Sequence, residues 1–131
     1  MEVGALVAKI LVIDDDPDLR MILRRILEAH GHEVILGEDG LRGLAVAQRQ
    51  RPDAIVLDVM MPVMDGFEVL DRLQRDDRTL HVPVVMLTAL AVNDARERCE
   101  EAGAASFVEK PYDPTDLVTT IERVVAAAAS R

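Results

Sequence analysis

The sequence predicts an α/β protein in which a parallel sheet is covered by helices on both faces. Short apolar runs alternate with amphipathic stretches five times along 131 residues, which is the length of one ordinary domain. The apolar runs are continuous and do not alternate with polar residues, as is typical of parallel strands buried on both sides. The connections have the usual length for βα units, so the predicted architecture is a single (βα)5 repeat.

The first repeat begins with a strand predicted from Lys9 to Asp14. Pro17 opens the first helix, since proline is well tolerated at the first helical position. The apolar residues of this helix recur at helical spacing and form one face: Leu19, Ile22, Leu23, Ile26 and Leu27. Gly31 ends the helix, and Glu33 to Gly37 forms the second strand.

The second and third helices flank the third strand. Asp39 is a candidate cap for the second helix, and Pro52 ends that helix. The third strand runs from Asp53 to Asp58, and Gly66 begins the third helix. The residues predicted to point inward are Leu41, Leu44 and Ala45 in the second helix, and Phe67, Leu70 and Leu73 in the third.

The fourth repeat starts after Pro83, which leads into a strand ending at Thr88. Asn93 or Asp94 is the predicted cap of the fourth helix, because short polar side chains satisfy the free N–H groups at a helix start. Gly103 is predicted to end this helix.

The fifth repeat completes the domain. Its strand is predicted from Ala105 to Glu109, and Pro114 opens the last helix. The inward face of that helix consists of Leu117, Ile121, Val124, Val125 and Ala128. The domain is therefore predicted over residues 9–128, with a short leader at 1–8 and a tail at 129–131.

Bulk composition excludes several classes of function. The formal net charge is −9 and there is no run of Lys and Arg, which disfavours direct binding to nucleic acid. No apolar run approaches the roughly 20 residues that cross a bilayer, and the first residues do not resemble a signal peptide. Cys99 is the single cysteine, so no intrachain disulfide can form. A cytoplasmic location without membrane contact is the expectation.

Polar residues end four of the predicted strands. The apolar runs are followed or ended by Asp14-Asp15-Asp16, Asp58, Thr88 and Lys110. Right-handed crossovers place the carboxyl ends of all parallel strands on one edge, so these side chains should converge. Carboxylates packed together repel one another, and a hard divalent cation removes that cost. The predicted metal ligands are Asp14, Asp15 and Asp58 with one carbonyl of the following loop, and the expected ion is Mg²⁺, or Mn²⁺ in its place.

This set of groups suits phosphoryl transfer. Asp58 would be the nucleophile and phospho-acceptor, giving an acyl phosphate. Lys110 would place a positive charge on one phosphate oxygen, and Thr88 would donate its hydroxyl to another. Taken singly, each residue has a plainer explanation. Asp58 alone could be a turn or cap residue, and the triplet Asp14–Asp16 could be a solvated loop before Pro17. The joint placement at four strand ends favours the functional interpretation.

Other polar or sulfur-containing residues are weaker candidates. His30 and His32 form a His-x-His pair without a third ligand nearby, and are predicted to lie at the surface or at a helix cap. Cys99 lies between charged residues and is predicted to be inert. Met60, Met61 and Met64 are predicted to pack as an apolar loop.

The chain closely resembles the receiver domain of bacterial two-component response regulators, of the chemotaxis-regulator type. The resemblance covers about Lys9 to Ala128, and the motifs that carry it are Ile10-Leu11-Val12-Ile13-Asp14-Asp15-Asp16-Pro17, Asp58-Val59-Met60-Met61-Pro62-Val63-Met64-Asp65-Gly66, Leu87-Thr88-Ala89 and Phe107-Val108-Glu109-Lys110-Pro111. It implies a flavodoxin-like sheet in the order 2-1-3-4-5. It also implies a cis bond before Pro111, and Met60 as the residue whose main-chain carbonyl binds the metal.

The same resemblance implies partners and a switch. The phosphoryl donor would be a phosphohistidine on a sensor histidine kinase or a histidine phosphotransfer protein. Thr88 would move toward the phosphate and Phe107 would turn inward, changing the surface formed by the fourth helix, fifth strand and fifth helix. That surface would act on a downstream effector domain or protein. Whether phosphorylation drives dimerisation is left open by the sequence.

Two other functions compete with this one. The first is a Mg²⁺-dependent phosphatase of the haloacid-dehalogenase type, whose Asp-x-Asp pattern Asp14 and Asp16 match superficially. Such enzymes need a cap or insertions to bind substrate, and this chain is short for that. The second is a purely structural interaction module, which the complete acidic site disfavours. We therefore expect a phospho-acceptor signalling module and not an enzyme acting on other molecules.

Overall fold

The computed structural model describes residues 7–130, apart from the side chain of Val92. Five strands alternate with five helices in the predicted order. The strands are β1 (Lys9–Ile13), β2 (Glu33–Gly37), β3 (Ala54–Asp58), β4 (Val84–Thr88) and β5 (Ser106–Glu109). The helices are α1 (Pro17–Ala29), α2 (Gly40–Gln50), α3 (Gly66–Gln74), α4 (Val92–Ala102) and α5 (Pro114–Ala129). Residues 1–6 of the predicted leader at 1–8, and residue 131 of the predicted tail at 129–131, lie outside the described residues.

All strands are parallel, in the order β2-β1-β3-β4-β5. This is the doubly wound, flavodoxin-like arrangement that the resemblance implied. In the register, Asp58 pairs with Leu87, and Thr88 pairs with Glu109. The carboxyl ends of β1, β3, β4 and β5 therefore share one edge. Within residues 7–130 no helix combines the length and the apolar character that a bilayer span requires.

The continuous apolar runs are explained by burial on both faces of the sheet. Successive residues of a strand point to opposite sides, so Ile10 and Val12 face one core while Leu11 and Ile13 face the other. The first core lies against α1 and α5 and includes Leu23, Leu27, Leu117 and Ile121. The second lies against α2, α3 and α4 and includes Leu44, Leu70, Leu73 and Cys99.

Several sequence predictions about individual residues are wrong. Ile22 and Leu41, predicted to point inward, are 46% and 59% exposed. The inward face of α2 instead uses Gly40, Gly43, Leu44 and Ala47, since the helix packs its glycines closely against the sheet and loop. The predicted cap of α4 is also wrong, because Ala91 precedes this helix and makes no side-chain hydrogen bond to it.

His32 is another correction, because it is buried and not at the surface. Its side chain is inaccessible to solvent. Its Nδ1 accepts the N–H of Ala8 at 3.1 Å, and its Nε2 lies 2.8 Å from an Oε2 oxygen of Glu122 on α5. Since Nδ1 accepts a hydrogen bond, the proton of the neutral ring is on Nε2, which donates to Glu122. The ring therefore joins the start of β1 to α5.

Candidate functional site at the carboxyl edge of the sheet

The three aspartates that follow β1 have three different environments. Asp16 caps α1, with its carboxylate accepting the N–H groups of Asp18 and Leu19. Asp15 is exposed at the edge of the sheet. Asp14 is only 1% exposed, and its Oδ1 accepts the N–H of Asp16 at 2.9 Å. The triplet is thus both a helix start and part of a polar site.

One oxygen of Asp14 has no partner. Its Oδ2 is buried and has no hydrogen bond within the described part of the chain. Burial raises the pKa of Asp14 from 3.8 to about 6, and the nearby charge of Asp58 adds to the rise, although the hydrogen bond from Asp16 opposes it. A buried, unsatisfied carboxylate oxygen is costly, so this atom fits a ligand that supplies positive charge.

Asp58 ends β3, between β1 and β4, and is 4% exposed. Its Oδ1 accepts a hydrogen bond from Lys110 Nζ at 3.0 Å and another from the N–H of Met60 at 3.3 Å. The loop that follows is fixed at its far end, where Asp65 and Glu68 form a capping box at the start of α3. Gly66 packs against this strand end so closely that an added Cβ would lie 2.5 Å from the carbonyl oxygen of Asp58.

The carboxylates of Asp14, Asp15 and Asp58 form one cluster. One oxygen from each lies within 4.8 Å of the other two. Carboxylate oxygens are the ligands that Mg²⁺ prefers, and the unpartnered Oδ2 of Asp14 is a donor that such an ion would satisfy. The residues present therefore fit a hard divalent cation. Met60, whose carbonyl was the fourth predicted ligand, lies in the adjoining loop with a side chain that is 69% exposed.

Thr88 and Lys110 complete the edge. Thr88 is fully buried at the end of β4, and its Oγ1 accepts the N–H of Leu90 at 3.0 Å. Lys110 follows β5, and its main-chain N–H donates to the carbonyl of Thr88 at 2.7 Å. The Lys110–Pro111 bond is cis, as the resemblance implied. Phe107 is half-buried on β5 and pairs with Met86, two positions before the Thr88–Glu109 pair, so it lies outside the acidic cluster.

Two residues near the site were not predicted. Arg20 donates from Nη1 to the carbonyl oxygen of Asp14 at 2.7 Å. Tyr112 lines a cavity of about 290 Å³ beside Asp14, and burial, together with the charge of Asp14, raises the pKa of its hydroxyl. For Arg20, the only sequence signal was a basic residue in the first helical turn after the acidic triplet. For Tyr112, it was an aromatic residue directly after Lys110-Pro111.

The other sequence candidates lie elsewhere or have structural roles. The Cys99 thiol is buried on α4, and burial raises its pKa, which is the expected state of an unreactive thiol. Met61 and Met64 pack into the core as predicted, whereas Met60 does not.

Comparisons with known proteins agree with this geometry. The model of the family described as "response regulator receiver domain" matches residues 10–122 of this chain. The chain is 38% identical over 117 residues to the DNA-binding dual master transcriptional regulator RpaA of Synechocystis, covering 89% of this chain but only 48% of RpaA. The chain thus spans about half the length of that relative.

Solved structures show the same fold over nearly the whole length of both chains. The chemotaxis protein CheY4 of Vibrio cholerae superposes with a TM-score of 0.84 at 34% identity, covering 91% of this chain and 99% of CheY4. The receiver domain of the sensor histidine kinase PA1611 of Pseudomonas aeruginosa, solved with a magnesium ion in its active-site cleft, gives 0.83 at 30% identity and covers 92% of this chain and 99% of its own. These matches support a signalling domain and give no support to the phosphatase alternative. The chain belongs to the receiver domain family of two-component response regulators.

Proposed function

We propose that Asp58 accepts a phosphoryl group from a phosphohistidine of a sensor histidine kinase or a histidine phosphotransfer protein. The observation that carries this proposal is the position of the Asp58 carboxylate. It lies 3.0 Å from the Lys110 ammonium and in one cluster with the carboxylates of Asp14 and Asp15. The buried Oδ2 of Asp14 accepts no hydrogen bond from residues 7–130. The proposed nucleophile, the Lys110 cation and the two carboxylates that would hold the metal therefore lie close together.

In the transfer step an Asp58 oxygen forms a bond to phosphorus as the bond from phosphorus to the donor nitrogen breaks. The electron pair of the broken bond stays on the imidazole of the donor, and the product is an aspartyl phosphate. The carboxylates of Asp14, Asp15 and Asp58 and the main-chain carbonyl of Met60 would hold Mg²⁺. When bound, the ion would supply positive charge that offsets the negative charge of the phosphoryl oxygens. Lys110 exchanges its contact with the Asp58 carboxylate for one with a phosphate oxygen, and Thr88 donates its hydroxyl to another.

Thr88 and Phe107 carry the switch in this proposal. The Thr88 hydroxyl is buried in the unphosphorylated protein and lies on the strand next to Phe107. Its movement toward the phosphate leaves space for the phenyl ring to turn inward. The surface of α4, β5 and α5 then changes and binds a downstream effector in the cytoplasm, either another domain or another protein. The chain is a phospho-acceptor that promotes only its own phosphorylation and slow dephosphorylation.

Intact mass spectrometry after incubation with Mg²⁺ and acetyl phosphate or phosphoramidate tests the acceptor. We expect one phosphoryl adduct on the wild type and none on Asp58→Asn or in a chelated sample. Asp65→Asn is a matched control, because Asp65 lies in the same loop but caps α3, and it should still take one phosphoryl group. An equal adduct on Asp58→Asn would refute the proposal.

A further inference from the structure

Helix α4 has few side-chain restraints. Its first turn has no side-chain cap, since Ala91 stands at the N-cap position. Helices α1, α2 and α3 each have a cap and a residue that forms a short-range ion pair, whereas no ion pair of α4 is found among the described residues. Among the described side chains of the helix, Ala95 and Cys99 are buried, and Ala102 packs partly buried against the core. Any further contact that holds α4 in place therefore makes a proportionally large contribution to keeping the helix packed against the domain.

One such contact joins α4 to α3. The guanidinium carbon of Arg98 lies 4.3 Å from the centre of the Phe67 ring. This is a cation–π geometry, which at an exposed site is worth about a two- to fivefold factor in an equilibrium constant. Phe67 is half-buried and lies one residue after Gly66, whose backbone packs against Asp58. The contact thus connects α4 to α3, the helix that begins where the loop after Asp58 ends.

Space and a connection to the site are both present beside this contact. An open groove of about 470 Å³ is lined by Leu90 and Arg98 together with Met60 and Pro62 of the loop after Asp58. At the other end of the segment, Leu90 donates its N–H to Thr88 Oγ1 at 3.0 Å, two residues before α4 begins. When the Thr88 hydroxyl moves, this bond is lost. The segment that leads into α4 then loses its hydrogen bond to Thr88, and the first turn of the helix has no side-chain cap.

We propose that the Arg98–Phe67 contact is a latch that holds α4 against α3 in the unphosphorylated protein and opens in the phosphorylated one. The opening rests on the proposed role of Thr88, whereas the latch itself does not. Opening of the latch and phosphorylation are linked equilibria. A substitution that weakens the latch therefore favours the phosphorylated conformation by the same factor by which it loosens α4.

Hydrogen exchange of the α4 amides, measured in chelator without any phosphodonor, tests the latch. We expect Arg98→Gln and Phe67→Leu each to exchange about two- to fivefold faster than wild type, in line with the strength of the contact. The double variant should be no faster than either single variant, because both remove the same interaction. Arg98→Lys keeps the cation and should restore slow exchange. Wild-type exchange in Arg98→Gln, or additive effects in the double variant, would overturn the latch.

Binding of beryllofluoride, a phosphoryl mimic, in the presence of Mg²⁺ tests the coupling. Arg98→Gln should bind about two- to fivefold more tightly than wild type, and the matched control Arg96→Gln, an exposed arginine of the same helix, should bind like wild type. Faster exchange with unchanged affinity would show a purely structural contact and refute the coupling. Absence of binding to wild type would refute the proposed function and the coupling together, while the exchange result would still decide whether the latch exists.

Discussion

Replacing Asp14 by asparagine is expected to stabilise the metal-free protein at neutral pH by about 2 kcal/mol. The pKa of Asp14 rises from 3.8 to about 6 in the folded protein, mainly because the carboxylate is buried. A rise of about 2 units corresponds to roughly 3 kcal/mol of penalty on the ionised form. Asparagine removes the charge but leaves a buried amide group at the position of Oδ2, for which the described residues offer no hydrogen-bond partner. That group costs on the order of 1 kcal/mol, which gives the net figure.

The pH dependence of this gain has a defined sign. Between the ordinary pKa and the raised one, the folded protein binds more protons than the unfolded chain, so wild-type stability falls as pH increases through this window. The advantage of Asp14→Asn is therefore absent near pH 4, grows toward pH 6 and is constant above it. Asp15→Asn is the matched control, because Asp15 is exposed and pays no comparable cost of burial.

Urea denaturation in chelator, followed by circular dichroism at several pH values, measures this gain. Adding Mg²⁺ should stabilise the wild type, since an ion that binds only the folded state shifts the equilibrium toward it. The Asp14→Asn variant should lose most of that response. An asparagine variant that is no more stable than wild type in chelator at neutral pH would refute the reasoning, as would a gain that persists unchanged at pH 4.

Three further substitutions test other parts of the structure. Met60→Glu should speed loss of the phosphoryl group several-fold, measured by intact mass over time, because Met60 and Leu90, whose N–H groups bond to Asp58 and Thr88, carry apolar side chains that do not assist an attacking water. His32→Ala should cost about 2–4 kcal/mol in denaturation experiments, since it leaves a cavity and an unpaired N–H at Ala8. Val63→Gly should stabilise the protein by about 1 kcal/mol, because Val63 is 99% exposed and has φ +69°, a conformation that costs a β-branched residue about that much. An unchanged decay rate, an unaffected midpoint or a loss of stability, respectively, would contradict these expectations.

The parts of the fold that the sequence predicted well depend on local signals. Pro17, Gly66 and Pro114 each begin a helix where predicted, because proline and glycine restrict or release the backbone at their own position. Strand ends were predicted within one residue because burial on both faces leaves a continuous apolar run. The convergence of Asp14 with Asp58 followed from the topology of parallel strands alone.

The parts that could not be predicted depend on partners distant in sequence. His32 is buried by Ala8 and Glu122, which are 24 and 90 residues away, and nothing near it in the sequence indicates this. The start of α4 was misplaced because polar residues are the usual caps, and here Ala91 precedes the helix without a side-chain cap. The contact of Arg98 with Phe67 depends on how two helices pack, which periodicity does not specify.

Chemical trapping of the phosphorylated residue tests the central claim most directly. Borohydride reduces an aspartyl phosphate to homoserine, and tandem mass spectrometry of the digested protein locates the changed residue. After incubation with Mg²⁺ and acetyl phosphate, we predict homoserine at position 58 and unmodified aspartate at positions 14 and 15. Homoserine at either of those positions, or a phosphoryl adduct that borohydride does not convert at position 58, would contradict the account.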